Sequence, residues 1–197
     1  MQQRSEETRA SILSAALERF SANGYEATSV SQVCRAAGVS KGAFYHHFPS
    51  KQAVFIELLE GWLALLDEQF KLVRSQSSDV PDALLTMTSM MGEIYRTAGG
   101  SLPMFLEFWN QAHHEPDIWD AVIAPYNRYQ DYFASMIQDG MDEGSLRQVN
   151  PESTARILVA LAVGLLLQGV LDPDGADWQQ VSQAGFQMVL NDIIKQV

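Results

Sequence analysis

Residues 28–48, TSVSQVCRAAGVSKGAFYHHF, leave the backbone very few choices. Ser29 with Gln32 three residues on forms a capping box, in which each side chain satisfies a free donor at the start of a helix. Val33 and Ala37 then share a face, and the small Ala36 and Ala37 let a second helix cross close by. Gly38 stands where the chain must leave that helix through a positive φ, which costs glycine least. Val39 plugs the corner, and Ser40 caps a second helix that runs from Lys41 to about His47. Phe44 and Phe48, four apart, face inward and anchor it, which turns Lys41, Gly42, Ala43, Tyr45 and His46 outward. The pattern is a helix-turn-helix.

That outward set suits the major groove, where the N-terminal part of a second helix meets base edges. Lys41 can donate to guanine acceptors or to phosphate, Gly42 and Ala43 permit close approach, and the Tyr45 hydroxyl can reach a phosphate oxygen. His46 can do either. Ser29 and Ser40, at the two helix starts, belong to the same surface. Beyond Pro49, Ser50 caps a further helix whose N-terminus favours anions, with the Lys51 ammonium beside it. A helical hairpin with merely solvated polar residues fits the spacing as well.

With what precedes it, the stretch resembles the DNA-binding domain of the TetR family of transcriptional regulators. The resemblance covers roughly residues 6–60 and rests on an opening amphipathic helix, then FSANGYEATSV, then AAGVSKGAFYHHFPSKQAVF, in the family's order and without gaps. It implies phosphate contacts at Thr28, Tyr45, His47 and Lys51, and base contacts at Lys41, Gly42, Ala43 and His46. Val33-Cys34 departs from the Ile-Ala usual in the family; cysteine is small and often buried, so the packing survives the change. This single cysteine cannot form an internal disulfide, and within a packed helix it reads as core rather than as a catalytic thiol.

A net charge of −11 argues at first against a nucleic-acid partner. Its distribution removes the conflict: residues 1–51 carry six Lys or Arg against four Asp or Glu, and the remainder seven against twenty. The acidity belongs to the second part of the chain. With 47% hydrophobic and 19% charged residues, a chain of 197 can bury a substantial core in one large or two small domains. The start, MQQRSEETR, lacks the apolar segment of a secretory signal, and no stretch is read as reaching the roughly 20 apolar residues of a membrane span. A cytoplasmic location is expected.

Hydrophobic periodicity gives an all-α chain, with a three-helix helix-turn-helix domain over residues 1–50 and a further helical domain over 51–197; the resemblance implies that the second is a regulatory domain with a ligand pocket and a dimer interface. The first helix spans about Ser5 to Ala22. The one opening at Ser50 continues to about Ser75, long enough at 1.5 Å per residue to leave the small domain and enter the next. Residues 75–82 mark a loop and the start of the next helix, which runs on over 83–97, and another begins near Ser101. A helix over 117–143 contains Pro125, where a kink or break is expected. Asn150-Pro151 opens a helix by a cap and a proline at its first position.

Methionine adapts its shape and aromatic rings present flat faces, so Trp62, Met87, Met90, Met91, Met104, Phe105, Phe108 and Trp109 can line a lipophilic pocket, or fill plain core. His113 and Tyr126 join the ligand set, and one or both of His113 and His114, with Glu107, Asn110, Arg96 or Arg128, can fix a ligand's polar end. His113-His114-Glu115 with Asp117 and Asp120 suggests a metal, but adjacent histidines diverge by about 100° on a helix and Pro116 intervenes. No metal or cofactor is expected. Residues 157–167 are apolar without interruption and need cover on every side, and a last helix adds a second apolar face. Leu161, Leu165, Leu166, Trp178, Phe186, Val189 and Ile193 are therefore read as a homodimer interface, as the resemblance also implies. An enzyme finds no support in any Gly-rich phosphate loop, nucleophile elbow or HExxH pattern. An adaptor using its acidic domain is the other alternative. The expected partners are double-stranded operator DNA, a small-molecule effector and a second copy of the chain.

Overall fold

The computed structural model describes residues 2–91, 108–109, 112 and 116–195. These are overwhelmingly α-helical: α1 Gln2–Asn23, α2 Val30–Ala37, α3 Lys41–His47, α4 Lys51–Gln76, α5 Val80–Ser89, α6 Pro116–Asp142, α7 Pro151–Leu171 and α8 Trp178–Ile193. The chain forms two compact units, Met1–Leu65 with Gly100–Val122, and Leu66–Gly99 with Ile123–Val197. Helices α4 and α6 each contribute to both.

In the first unit, α1 packs on α2 and α3 around Ile12, Ala16, Phe20, Val33, Phe44 and Phe48, all buried. The boundaries follow the local chemistry. Gly24, at φ 85°, ends α1. The Ser29 hydroxyl accepts from the Gln32 amide and the Gln32 side chain accepts from the Ser29 amide, which completes the capping box. Gly38, at φ 68°, closes α2 in the left-handed region, where a side chain would cost about 1–2 kcal/mol. The Ser40 Oγ accepts from the Ala43 amide at 3.1 Å and starts α3, and the Ser50 Oγ does the same for Ala53 at the head of α4. Fused to this core is a ring cluster: Tyr25 lies against Phe20 and Phe55, and Phe108 stacks on Phe55 with centroids 3.9 Å apart. The Arg9 guanidinium pairs with the Glu57 carboxylate, joining α1 to α4.

The second unit holds α5, α7, α8 and the larger parts of α6, around Val80, Leu84, Ile137, Leu146, Leu158, Phe186 and Leu190. A Cβ on Gly140 would lie 2.6 Å from a Leu146 methyl, so glycine is what lets the loop after α6 close onto that helix. Asp67 accepts from the Tyr129 hydroxyl at 2.8 Å and pairs with Arg128 at 2.9 Å. Burial, with this carboxylate, pushes the Tyr129 phenol well above its ordinary range.

The structure bears on three expectations. The helix expected to start within residues 75–82 and to run to about 97 begins at Val80, where Asp79 caps it, and α5 ends at Ser89; residues 92–107, with the helix expected from Ser101, lie outside the described residues. Of the kink or break expected at Pro125, the break does not occur: α6 continues through it to Asp142. The lost hydrogen bond costs roughly 3 kcal/mol, and the buried Met136 and Ile137 and the Tyr129–Asp67 bond hold the following turns in place. Finally, α7 is long and apolar enough to cross a membrane by length and composition, because Val170 and Leu171 extend an apolar character that the uninterrupted run understated. Thr154, Ala155, Leu158, Val159 and Leu165 on this helix are buried within the protein, yet only 28% of its most apolar window is. Ile157, Leu167 and Leu171 are its exposed large apolar residues.

Candidate nucleic-acid interface

Seven residues make barely two turns, so α3 owes its existence to its surroundings. Phe44 and Phe48, 1% and 2% exposed, root it in the core of the first unit, with ring centroids 6.0 Å apart. That anchoring turns Lys41, Gly42, Tyr45 and His46 to the surface, with Ala43 and His47 half-buried beside them. Tyr45 is 54% exposed, its ring edge-on to Phe44, so the hydroxyl is carried outward on a fixed stem. Ser29 and Ser40 are exposed at the starts of α2 and α3, each with its hydroxyl oxygen already accepting a backbone amide. The face presents one ammonium, a phenol, two imidazoles and two residues with minimal side chains. Such a surface can approach a groove closely and donate to base edges and phosphates.

Thr28 and Lys51 sit differently. Thr28 is 1% exposed, and its hydroxyl donates to the Gly24 and Arg19 carbonyls at 2.8 and 3.2 Å. The half-buried Lys51 donates to the Tyr25 carbonyl at 2.8 Å and to the Glu26 carbonyl at 3.4 Å, and its Nζ stands 4.2 Å from the Tyr25 ring centroid. Sequence spacing gave no sign of this arrangement, since the partners are 26 and 25 residues away. Cys34 is buried, and burial raises its thiol pKa, which suppresses the reactive thiolate.

Of the residues read as ligand-binding, Met104, Phe105 and His113 lie outside the described residues. Trp62, Trp109 and Phe108 belong to the first unit; Met87, Met91 and Tyr126 belong to the second. Met87, Met91 and Phe108 are buried, and Trp62, Trp109 and Tyr126 are half-buried. Phe108 has one ring face on Phe55 and meets Tyr25 edge-on at 5.0 Å. His113, His114 and Glu115 of the suggested metal cluster also lie outside; among the described residues no group of three or more His, Cys, Asp or Glu is placed to hold a metal.

The residues read as a dimer interface divide in two. Leu165, Phe186 and Ile193 are buried by their own chain, whereas Leu161, Leu166, Trp178 and Val189 are half-buried. The apolar side chains left exposed are Ile157, Leu167 and Leu171 on α7 and Val181 and Met188 on α8, at 54%, 37%, 73%, 39% and 76%. By helical spacing, Ile157, Leu161, Gly164 and Leu171 share one face of α7, and Trp178, Val181, Gly185 and Met188 one face of α8.

Comparison with known proteins gives the same picture. The family model for "Bacterial regulatory proteins, tetR family" matches residues 12–58, and that for "BetI-type transcriptional repressor, C-terminal" matches residues 99–190. The transcriptional regulator UidR of Escherichia coli K12 is 26% identical over 168 residues, which cover 84% of this chain and 83% of UidR. A Saccharomonospora viridis protein solved in complex with choline has the same fold at TM-score 0.84 and 21% identity, over 97% of this chain and 100% of that one. SmeT, solved in complex with triclosan, does so at TM-score 0.83 and 22% identity, over 96% and 92% of the two chains. The chain belongs to the TetR family, and is a DNA-binding, ligand-responsive transcriptional regulator.

Proposed function

We propose that the protein is a repressor that binds an inverted-repeat operator as a homodimer and is released by a small lipophilic effector. The observation that carries this reading is the outward face of α3, rooted by Phe44 and Phe48 and carrying Lys41, Gly42, Ala43, Tyr45 and His46. Residues 1–50 are the DNA-binding domain and residues 51–197 the regulatory one. Lys41, Gly42, Ala43 and His46 read bases; Tyr45 and His47, with Ser29 and Ser40 at the helix starts, meet the phosphate backbone. Thr28 and Lys51, expected as further phosphate contacts, bond carbonyls of residues 19–26 in the free chain.

Effector contact is proposed for Trp62, Phe108 and Trp109 within the first unit and for Met87, Met91 and Tyr126 within the second; the expected Met104, Phe105 and His113 lie outside the described residues. Structures of similar fold determined with choline and with triclosan support a small organic ligand; the methionines and tryptophans of this chain favour an apolar one. Dimerisation through α7 and α8 is supported by their uncovered apolar faces. A regulator of transcription acts on the chromosome, and in a bacterium that places it in the cytoplasm.

Gel-shift and footprinting with the DNA upstream of the protein's own gene test the reading. A symmetric protected site with half-sites about one helical turn or a multiple apart is expected. Failure of the full-length protein to retard any such fragment at micromolar concentration overturns it.

A further inference from the structure

We infer that Lys51 is a positioning residue, which ties the corner between α1 and α2 to the start of α4 and so sets how α2 and α3 are presented to DNA, rather than itself meeting a phosphate. The inference rests on the reading of α2 and α3 as the DNA-contacting element. An ammonium has three donors and no acceptor. Two carbonyls of one corner, Tyr25 and Glu26, lie within its reach at 2.8 and 3.4 Å, and the Tyr25 ring offers its face at 4.2 Å. A cation satisfied on both counts gains little by turning to an external anion, since it would have to give up bonds that charge makes strong.

The corner so held is the one that matters. Tyr25 is 1% exposed and fixed edge-on to Phe55, so the ring under Lys51 cannot swing aside. Three residues past Tyr25, the Thr28 hydroxyl ties the chain back to the Gly24 carbonyl, and Ser29 then caps α2. Lys51 thus closes a loop of chain that contains all of α2 and α3, with its head on the entry to α2 and its backbone at the exit from α3. The arrangement is a strut behind the contact surface.

The test compares full-length wild type with Lys51→Met, which keeps the aliphatic stem and removes the charge. Hydrogen exchange in the free protein, followed by mass spectrometry over residues 24–33, should accelerate at least tenfold. Specific affinity for the upstream fragment should fall at least tenfold, while the slope of log K against log salt stays at the wild-type value. A lost phosphate contact would reduce that slope by about 0.9; such a reduction, or unchanged exchange, overturns the proposal. A lower fraction of active protein at unchanged Kd, which a merely structural lysine would give, overturns it too. If wild type binds no fragment, the DNA-binding reading has failed, and the exchange measurement still decides whether the strut exists.

Discussion

Met188→Asp should separate the dimer while leaving the protomer folded. Met188 is 76% exposed in the single chain, so the carboxylate remains in water until a second copy covers it. Fully burying such a side chain contributes about 1.5–3 kcal/mol, so three-quarters of that, about 1–2 kcal/mol, is lost from each side of the interface. An unpaired carboxylate taken out of water adds an effective penalty of several kcal/mol. Twofold symmetry applies both terms twice. Even at about 5 kcal/mol in total, the dimer Kd rises more than a thousandfold, since each 1.4 kcal/mol is a factor of ten. Phe186→Asp is the contrast: at 6% exposure that ring fills its own chain's core, and losing it costs the fold about 3–5 kcal/mol before any interface is considered. Sedimentation velocity reports mass and far-UV circular dichroism reports helix content. Met188→Asp should run as a helical monomer, and Phe186→Asp should lose helix. A Met188→Asp protein that sediments as a dimer with wild-type Kd refutes the placement of the interface on this face.

Ser40→Ala removes the acceptor for the Ala43 amide and should cost about 1 kcal/mol, felt as a few degrees of Tm and a several-fold weaker DNA complex. The Glu143 carboxylate accepts from the Ser145 hydroxyl at 2.6 Å and the Val80 amide at 2.8 Å, with Arg74 nearby, so its pKa is held below the ordinary 4.5. A depressed folded-state pKa gives stability that is present above about pH 4.5 and lost as pH falls through the folded value. Tm should therefore fall less steeply between about pH 5 and pH 3 in Glu143→Gln than in wild type; equal slopes would show that Glu143 is not part of the acid response.

What was legible in the sequence is what depends on near neighbours along the chain. Ser29 with Gln32, Gly38, Ser40, Ser50 and Asn150-Pro151 act over three or four residues, and each terminates or starts a helix where its chemistry requires. What escaped depends on contacts across the fold. Nothing in the spacing of Lys51 shows that it reaches the Tyr25 carbonyl, and nothing in Phe108 shows that its ring lies on Phe55. For α7 the difficulty is of another kind: a helix apolar on all sides has no periodicity to say which side its own chain covers, and the single apolar face of α8 is shared between its own core and any partner. Spacing therefore places Leu165 and Phe186 with residues that remain half-exposed and gives no sign of Met188, the most exposed large apolar residue among those described. Pro125 shows the limit of a local penalty, which tertiary packing outweighs.

Helix α3 has one consequence for how such a regulator can change. Of its seven residues only Phe44 is buried, and the core needs nothing from Lys41, Gly42, Tyr45 or His46. Stability and target preference are thus written on opposite sides of the same short helix. Exchanging the outer residues can redirect the protein to a new operator at little thermodynamic expense, and a duplicated gene can acquire a separate regulon through a handful of surface codons while its folding remains that of its parent.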